Sequence, residues 1–259
     1  WKDTRRRAMN DTRKRSDKPN VWLVAGFPGA GKSLLTKLGR DVLGAAAVSM
    51  DDVYESMAGH EEFLRYDDRV LEAGLEAALR EVRRGRSVMI DSCFKDPRER
   101  AEALRVLAPC ANVYLIDITT PVEICRQRAS RRPHPVDEEA YAFHCAVAAP
   151  PDAGEGFAAI FPFDNLTDEE RAEYEAGAVR TAAPLPADAG PGGHLTDAEL
   201  GKALRHALAF LSSVADASAA GAETGPLTKN DAGNASGAAV SDSDIELLIR
   251  RARSWEAKP

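Results

Sequence analysis

The 259-residue chain is 44% hydrophobic and 29% charged, with a net charge of −7, which supports one substantial buried core with tails, or two small domains. No apolar run approaches the roughly 18–20 residues of a membrane span, and the arginine-rich start after Trp1-Lys2-Asp3 gives the expectation of no apolar signal segment. Cys93, Cys110, Cys125 and Cys145 lie 17, 15 and 20 residues apart, which excludes CxxC-type zinc and dithiol motifs and reads as reduced, mostly buried thiols of a cytoplasmic protein.

The first twenty residues hold eight Lys/Arg against three Asp, so residues 1–19 read as a basic, solvated arm. Contact with nucleic-acid phosphates, or service as a nuclear address, are the alternative readings. Val21-Trp22-Leu23-Val24-Ala25 is an apolar run of β-formers ended by Gly26. A helix is expected from Lys32 to about Val42, with Leu34, Leu35 and Leu38 on one face and Gly44 as its stop. Ala46-Ala47-Val48-Ser49 predicts a second strand that ends at Asp51-Asp52. Helical spacing of Val70, Leu71, Leu75, Ala78, Leu79 and Val82 predicts a long helix from about His60 to Arg84, capped by Gly85.

Ser87 to Asp91 reads as a third strand. Asp96-Pro97-Arg98-Glu99 supplies an N-cap, a first-turn proline and a Glu at N3, so a helix should run from there to near Pro109. Val113 to Asp117 has the unbroken apolar character of a buried parallel strand. Thr120-Pro121-Val122-Glu123 repeats the cap pattern and should start a helix reaching Arg131-Arg132. Ala159-Ile160-Phe161 reads as a fifth, weak strand. Residues 181–194 and 215–241 have the composition of linkers. Three further capping boxes, Thr167-x-x-Glu170, Thr196-x-x-Glu199 and Ser243-x-x-Glu246, mark helices in residues 166–259, read as a partly disordered C-terminal extension. Alternating strands and helices imply right-handed βαβ units. The expected fold is therefore α/β, a mostly parallel sheet covered by helices on both faces, spanning residues 20–165.

Gly26-Phe27-Pro28-Gly29-Ala30-Gly31-Lys32-Ser33 matches GxxxxGK[ST]. It follows an apolar strand and opens a helix, the context in which such a loop turns its N–H groups inward around phosphate. Gly26, Pro28, Gly29, Ala30, Gly31, Lys32, Ser33 and Leu34 are the candidate nucleotide-binding residues. Lys32 would bridge the β- and γ-phosphates, and the Ser33 hydroxyl would hold Mg²⁺. Thr228-Lys229-Asn230-Asp231 has the letters of a guanine-reading motif but no strand before it, and no LSGGQ is present, which leaves a kinase. One of Asp51 and Asp52, at the sheet edge where ligands collect, would accept a hydroxyl proton. Asp91 ends a strand as a Mg²⁺-supporting aspartate does, or is a simple turn aspartate. Arg128 and Arg132 share a helix face and could cover the transferring phosphoryl group. Pro133-His134-Pro135 belongs to a lid turn, and five scattered histidines suggest no metal site.

GFPGAGKS, SMDD, VMIDSCFKDPRERAEAL and VYLIDITTPVEICRQRASRRP, in that order, resemble the polynucleotide kinase/zeta toxin group of P-loop kinases, to which proteins described as AAA-type ATP-binding domains belong. The resemblance covers residues 20–165 and implies a three-layer P-loop NTPase fold, with Asp51 as catalytic base, Lys32 and Ser33 in the nucleotide loop, and Arg128 with Arg132 as lid arginines. Ala149-Pro150-Pro151 through Glu155-Gly156-Phe157 is similar to the proline-rich stretch after the lid. Phage-type polynucleotide kinases carry an arginine three residues after the base, where this chain has Tyr54; Arg65 and Arg69 are the nearest substitutes. No DxDxT phosphatase motif is found. The expectation is an ATP- and Mg²⁺-dependent kinase acting on a small-molecule hydroxyl. Its alternatives are a polynucleotide 5′-hydroxyl kinase, and a nucleotide-switched interaction protein that recruits partners through the amphipathic helix Ile245 to Arg253.

Overall fold

A computed structural model describes residues 18–58, 68–131, 136, 138–177, 197–220 and 245–251. The arm up to residue 17, Arg65, Arg132, His134, and the cap positions Thr196 and Ser243 lie outside the described residues. Strands β1 (Asn20–Ala25), β2 (Ala46–Ser49), β3 (Val88–Asp91), β4 (Asn112–Ile118) and β5 (Ile160–Phe163) form one sheet in the order β2-β3-β1-β4-β5. All four pairings are parallel, with Leu23 opposite Ile90 on one side and Leu115 on the other. Every C-terminal strand end therefore points to one edge, where α/β folds collect their ligands.

Side chains alternate across the sheet, and the alternation builds two cores. Val21, Leu23, Val88, Ile90, Val113 and Leu115 face α3 (Asp68–Arg83) and α4 (Pro97–Leu107). Trp22, Val24, Met89, Tyr114, Ile116 and Phe161 face α1 (Lys32–Val42), α5 (Val122–Ser130), α6 (Glu138–Val147) and α8 (Asp197–Ala220). On that second face Trp22 stacks on Tyr114 at 6.1 Å and Tyr114 on Phe161 at 5.9 Å. Ser218 of α8 then accepts the Trp22 Nε1–H at 3.1 Å on its hydroxyl and the Tyr114 O–H at 3.4 Å on its carbonyl. Buried aromatic polar groups of this kind need such partners.

Several expectations are corrected by these contacts. α8 was assigned to the extension, yet Leu204, Leu211 and Val214 are fully buried against the sheet face. The boundary drawn at residue 165 thus separates a helix from the surface it covers. The final helical segment, 245–251, buries Ile245 with Leu248 and Ile249 against the same core, and Arg251 pairs with Asp41 at 2.6 Å. Its apolar stripe is occupied within the fold rather than offered to partners. The second strand stops at Ser49, and Asp51 and Asp52 lie in the first turn of α2 (Met50–Ala58). Met50 is drawn into the core below α3, which starts the helix early and turns both aspartates outward. α5 has Pro121 at its N-cap and no side-chain cap; the Thr120 hydroxyl is buried without a bond. Only Cys125 is buried: Cys93 is half-buried, while Cys110 and Cys145, on a surface turn and the outer side of α6, are exposed. The box at Thr167 is present as read and opens α7 (Asp168–Glu175).

Candidate nucleotide-binding and transfer site

Loop 26–31 joins β1 to α1, and two of its glycines make it feasible. Gly29 has φ 90° and Gly31 φ 93°, a region costly for residues with a Cβ. A Cβ on Gly29 would overlap the Cys125 carbonyl oxygen, and one on Gly31 the Asn165 side chain. Gly31 caps α1 with no side-chain bond, and the first turn holds no acidic residue. The first-turn N–H groups and the positive end of the helix are thus left for an anion. The Gly26 N–H donates to Cys93 O at 2.9 Å, and Lys32 Nζ donates to Phe27 O at 3.3 Å, which holds the ammonium over the loop.

The loop is fixed from outside by three elements. Tyr141 of α6 donates its hydroxyl to Pro28 O at 2.7 Å and stacks on Phe27 at 6.4 Å; burial pushes the phenol well above its ordinary value. Asn165, after β5, donates to Ala30 O at 2.8 Å. Arg128 of α5 donates to Asn165 O at 2.6 Å and grips Glu170 of α7 with Nε at 2.7 Å. Although burial alone would raise it, the Glu170 carboxyl is held below its usual range by Arg128 and by the Thr167 cap. Arg128, read from sequence as a lid cation, is thus engaged at the rim of the loop. Arg126 pairs with Glu138 at 3.2 Å and lies 5.1 Å over Tyr141.

Among the candidate carboxylates, Asp91 ends β3 opposite Val24 and Ser49 and is 7% exposed. Asp51 and Asp52 are exposed on α2, where the helix dipole favours anions. Ser33 lies exposed on the first turn of α1, and Leu34 packs on the core. A serine hydroxyl and a strand-end carboxylate are hard oxygen donors suited to Mg²⁺. Among the described residues no three His, Cys, Asp or Glu could hold a metal unaided, so an ion here would complete its shell with phosphate and water, as Mg²⁺ commonly does.

The sequence reading missed α6 and the residues it brings to the site. Its buried face, Ala140, Tyr141 and His144, follows helical spacing, but the sequence reading assigned no element between Pro135 and Ala149. His144 is 7% exposed. Burial and the charge of Lys32 push its pKa down to about 4, against an opposing influence of Asp51, so the ring is neutral at neutral pH. Lys95 and Arg100 were missed too. Lys95 Nζ pairs with Asp117 at 2.6 Å and donates to Ile118 O at 3.2 Å. Arg100, 1% exposed, binds Glu155 through Nε and Nη2, both at 2.7 Å, and donates to Phe94 O, Lys95 O and Ala149 O.

A parallel sheet in this order, a phosphate loop between β1 and α1, and carboxylates at the same edge define a P-loop protein of kinase-like α/β fold. Within that class the chain belongs to the AAA domain family, whose model matches residues 21–151. No curated protein sequence matches it. Among solved structures it is similar to a gluconokinase from Sinorhizobium meliloti, with 15% identity, TM-score 0.47, and coverage of 78% of this chain and 96% of that one. It is similar to the APS kinase of Mycobacterium tuberculosis in complex with AMPPNP and APS, with 17% identity, TM-score 0.44, and coverage of 62% and 97%. A Pnkp1/Rnl/Hen1 RNA repair complex shows 17% identity, TM-score 0.43, and coverage of 52% and 45%. The acceptor follows from none of these likenesses. Among the described residues no helix is long and apolar enough to cross a membrane.

Proposed function

We propose that the protein is an ATP-dependent kinase that transfers the γ-phosphoryl group to a hydroxyl of a small molecule. The observation that carries the reading is the phosphate loop bonded by Tyr141 and Asn165 and packed closely against the Cys125 carbonyl, with Lys32 over it and Asp51 and Asp91 on neighbouring elements of the same edge. The inward N–H groups and Lys32 hold the triphosphate, and Ser33 with Asp91 would hold Mg²⁺, which supplies charge neutralisation on the phosphates. Asp51 takes the proton of the acceptor hydroxyl as its oxygen bonds to the γ-phosphorus. The bond to the β–γ bridging oxygen breaks and ADP leaves. Arg128 supports the loop's rim through Asn165, and Arg132 is the lid cation.

The −7 net charge favours a small acceptor over a nucleic acid. The test is transfer from γ-labelled ATP to a panel of metabolite alcohols and 5′-hydroxyl oligonucleotides. A labelled small-molecule product is expected, formed by wild type and lost in Asp51→Asn. Labelling of oligonucleotides alone, with steep salt dependence, would move the assignment to a nucleic-acid kinase. No labelled acceptor across the panel would overturn the kinase reading.

A further inference from the structure

We propose that Lys95 is a positioning residue for the phosphate loop, a buried ammonium that bridges the strands on either side of β1 and fixes the root of the loop between them. The inference rests on the kinase reading above and deepens it at the nucleotide end.

The bridge follows from the sheet order. β1 lies between β3 and β4, so the loop that leaves β1 has the exit of β3 on one side and the end of β4 on the other. Lys95 stands in the exit loop of β3 and is buried. Its Nζ donates to Asp117 Oδ1 at 2.6 Å and to Ile118 O at 3.2 Å, the last two residues of β4. Asp117 is the register partner of Ala25, the final residue of β1, and a Cβ added at Gly26 would lie 3.3 Å from the Ile118 Cβ. The pair thus crosses the sheet edge at the residue where strand gives way to loop. On the β3 side, Cys93 O accepts the Gly26 N–H at 2.9 Å. Between these two ties Phe94, fully buried, takes φ 46°. A residue with a Cβ keeps such a backbone only where its surroundings over-determine it, as they do at functional sites.

What the bridge places is Phe27. Lys95 Nζ lies 5.7 Å from the centre of its ring, within reach of a cation–π contact. The Phe27 carbonyl is the hub of the loop, accepting the Ala30 N–H at 3.0 Å and Lys32 Nζ at 3.3 Å. A shift of Phe27 would therefore carry with it both the turn of the loop and the cation held over it. The Lys95 and Asp117 side chains are both largely enclosed, and charges so placed need each other as partners. Lys95 is engaged by β4 and serves by holding the loop, while Lys32 remains the cation that meets phosphate.

The test uses Lys95→Met, Lys95→Arg and the double variant Lys95→Met/Asp117→Asn. Binding of inorganic tripolyphosphate and of a fluorescent ATP analogue is measured for each, with turnover of Mg·ATP to ADP by water or an identified acceptor. In Lys95→Met the affinity for both ligands should fall by at least about tenfold. KM for ATP should rise in step while kcat stays within about threefold, the split expected for lost binding rather than lost chemistry. Lys95→Arg, which keeps a donor for both partners, should recover most of the affinity. Because Lys95→Met leaves the Asp117 carboxylate unpaired beside the loop, the neutral double variant separates position from charge. Its tripolyphosphate affinity should remain at least about fivefold below wild type, since the misplaced loop persists. Wild-type affinity in Lys95→Met overturns the proposal, as does a fall in kcat as large as the loss of affinity. Affinity fully regained in the double variant overturns it too, and so does a loss in folded Lys95→Arg as deep as in Lys95→Met. Should Lys95→Met fail to fold, the NMR signal of the Lys95 ammonium nitrogen in the wild-type protein decides. It should shift on saturation with tripolyphosphate, and an unmoved signal overturns the proposal. Tight wild-type binding left intact by Lys95→Met defeats this proposal alone. A wild-type protein that binds neither tripolyphosphate nor ATP defeats the kinase reading beneath it.

Discussion

Replacing Arg100 with methionine tests how the site is held together. The aliphatic part of the side chain is nearly matched in volume, so the cost is electrostatic. Arg100 is 1% exposed, and its guanidinium makes two bonds of 2.7 Å to Glu155 and three, of 3.0 to 3.2 Å, to the carbonyls of Phe94, Lys95 and Ala149. Glu155 is 20% exposed and can turn to water; the carbonyls of the β3 exit loop have no such recourse. Breaking a buried pair by removing one partner costs roughly 3–5 kcal/mol, and the partial solvation of Glu155 places this case near about 3 kcal/mol. Urea unfolding should show that loss, and the thermal midpoint should fall by roughly 6–12 °C for a domain of this size. Glu155→Gln should be destabilising alone, and combining it with Arg100→Met should cost less than the two added. The same loop supplies Cys93 O to the Gly26 N–H and holds Phe94 at φ 46°. ATP affinity should therefore weaken in Arg100→Met even where the protein remains folded. A change below about 1 kcal/mol, the size of a surface ion pair, would refute the assignment of Arg100 as the clamp.

Gly29→Ala should lower the affinity for a fluorescent ATP analogue by at least about tenfold. The left-handed φ alone costs roughly 1–2 kcal/mol, and the new Cβ would overlap the Cys125 carbonyl; unchanged binding in a folded variant would contradict the loop geometry. Glu99→Gln should alter stability in a pH-dependent way. Burial and the neighbouring Asp96 raise the Glu99 carboxyl to about 6 from 4.5, so its contribution to stability is present below 4.5 and lost as pH rises through about 6. At about 1.4 kcal/mol per pK, the Gln variant should match wild type in urea midpoint near pH 4.5. It should exceed wild type by up to about 2 kcal/mol at pH 7.5, and the reverse order would show that the carboxylate is stabilised in the fold. His144, held near 4, works in the opposite direction, destabilising the fold as pH drops from about 6.5 toward 4. It is present in both proteins and cancels from the comparison.

The strands were legible because a parallel sheet buries both faces, and runs such as Val21–Ala25 and Val113–Ile116 then appear as unbroken apolar segments. The boundaries of α1 followed from Lys32 after the glycine loop and from Gly44, which takes φ 62°. The phosphate loop was legible because its chemistry is local: eight consecutive residues make the turn and the helix start. The remainder of the site depends on contacts distant in sequence. Tyr141 meets Pro28 across 113 positions and Asn165 meets Ala30 across 135; no spacing rule announces such pairs. α6 was missed because its buried stripe has only three members, Ala140, Tyr141 and His144, shortly after the sequence Pro133-His134-Pro135. The C-terminal amphipathic segment was legible as a helix, but amphipathicity does not name what covers it. The cover is the fold's own core, reached through Ile245 and Ile249. The placement of Asp51 at a strand end failed for a similar reason, since burial of Met50 accompanies a helix that begins directly after Ser49, where the sequence reading placed none before about His60.

The central claim is that this phosphate loop serves phosphoryl transfer with Asp51 as the base. It is tested most directly by measuring Mg·ATP binding and phosphoryl transfer side by side in wild type and Asp51→Asn. The account predicts equal ATP affinity within about twofold and a fall in transfer of at least about a hundredfold, the range for loss of a general base. Equal transfer by the two proteins would contradict it.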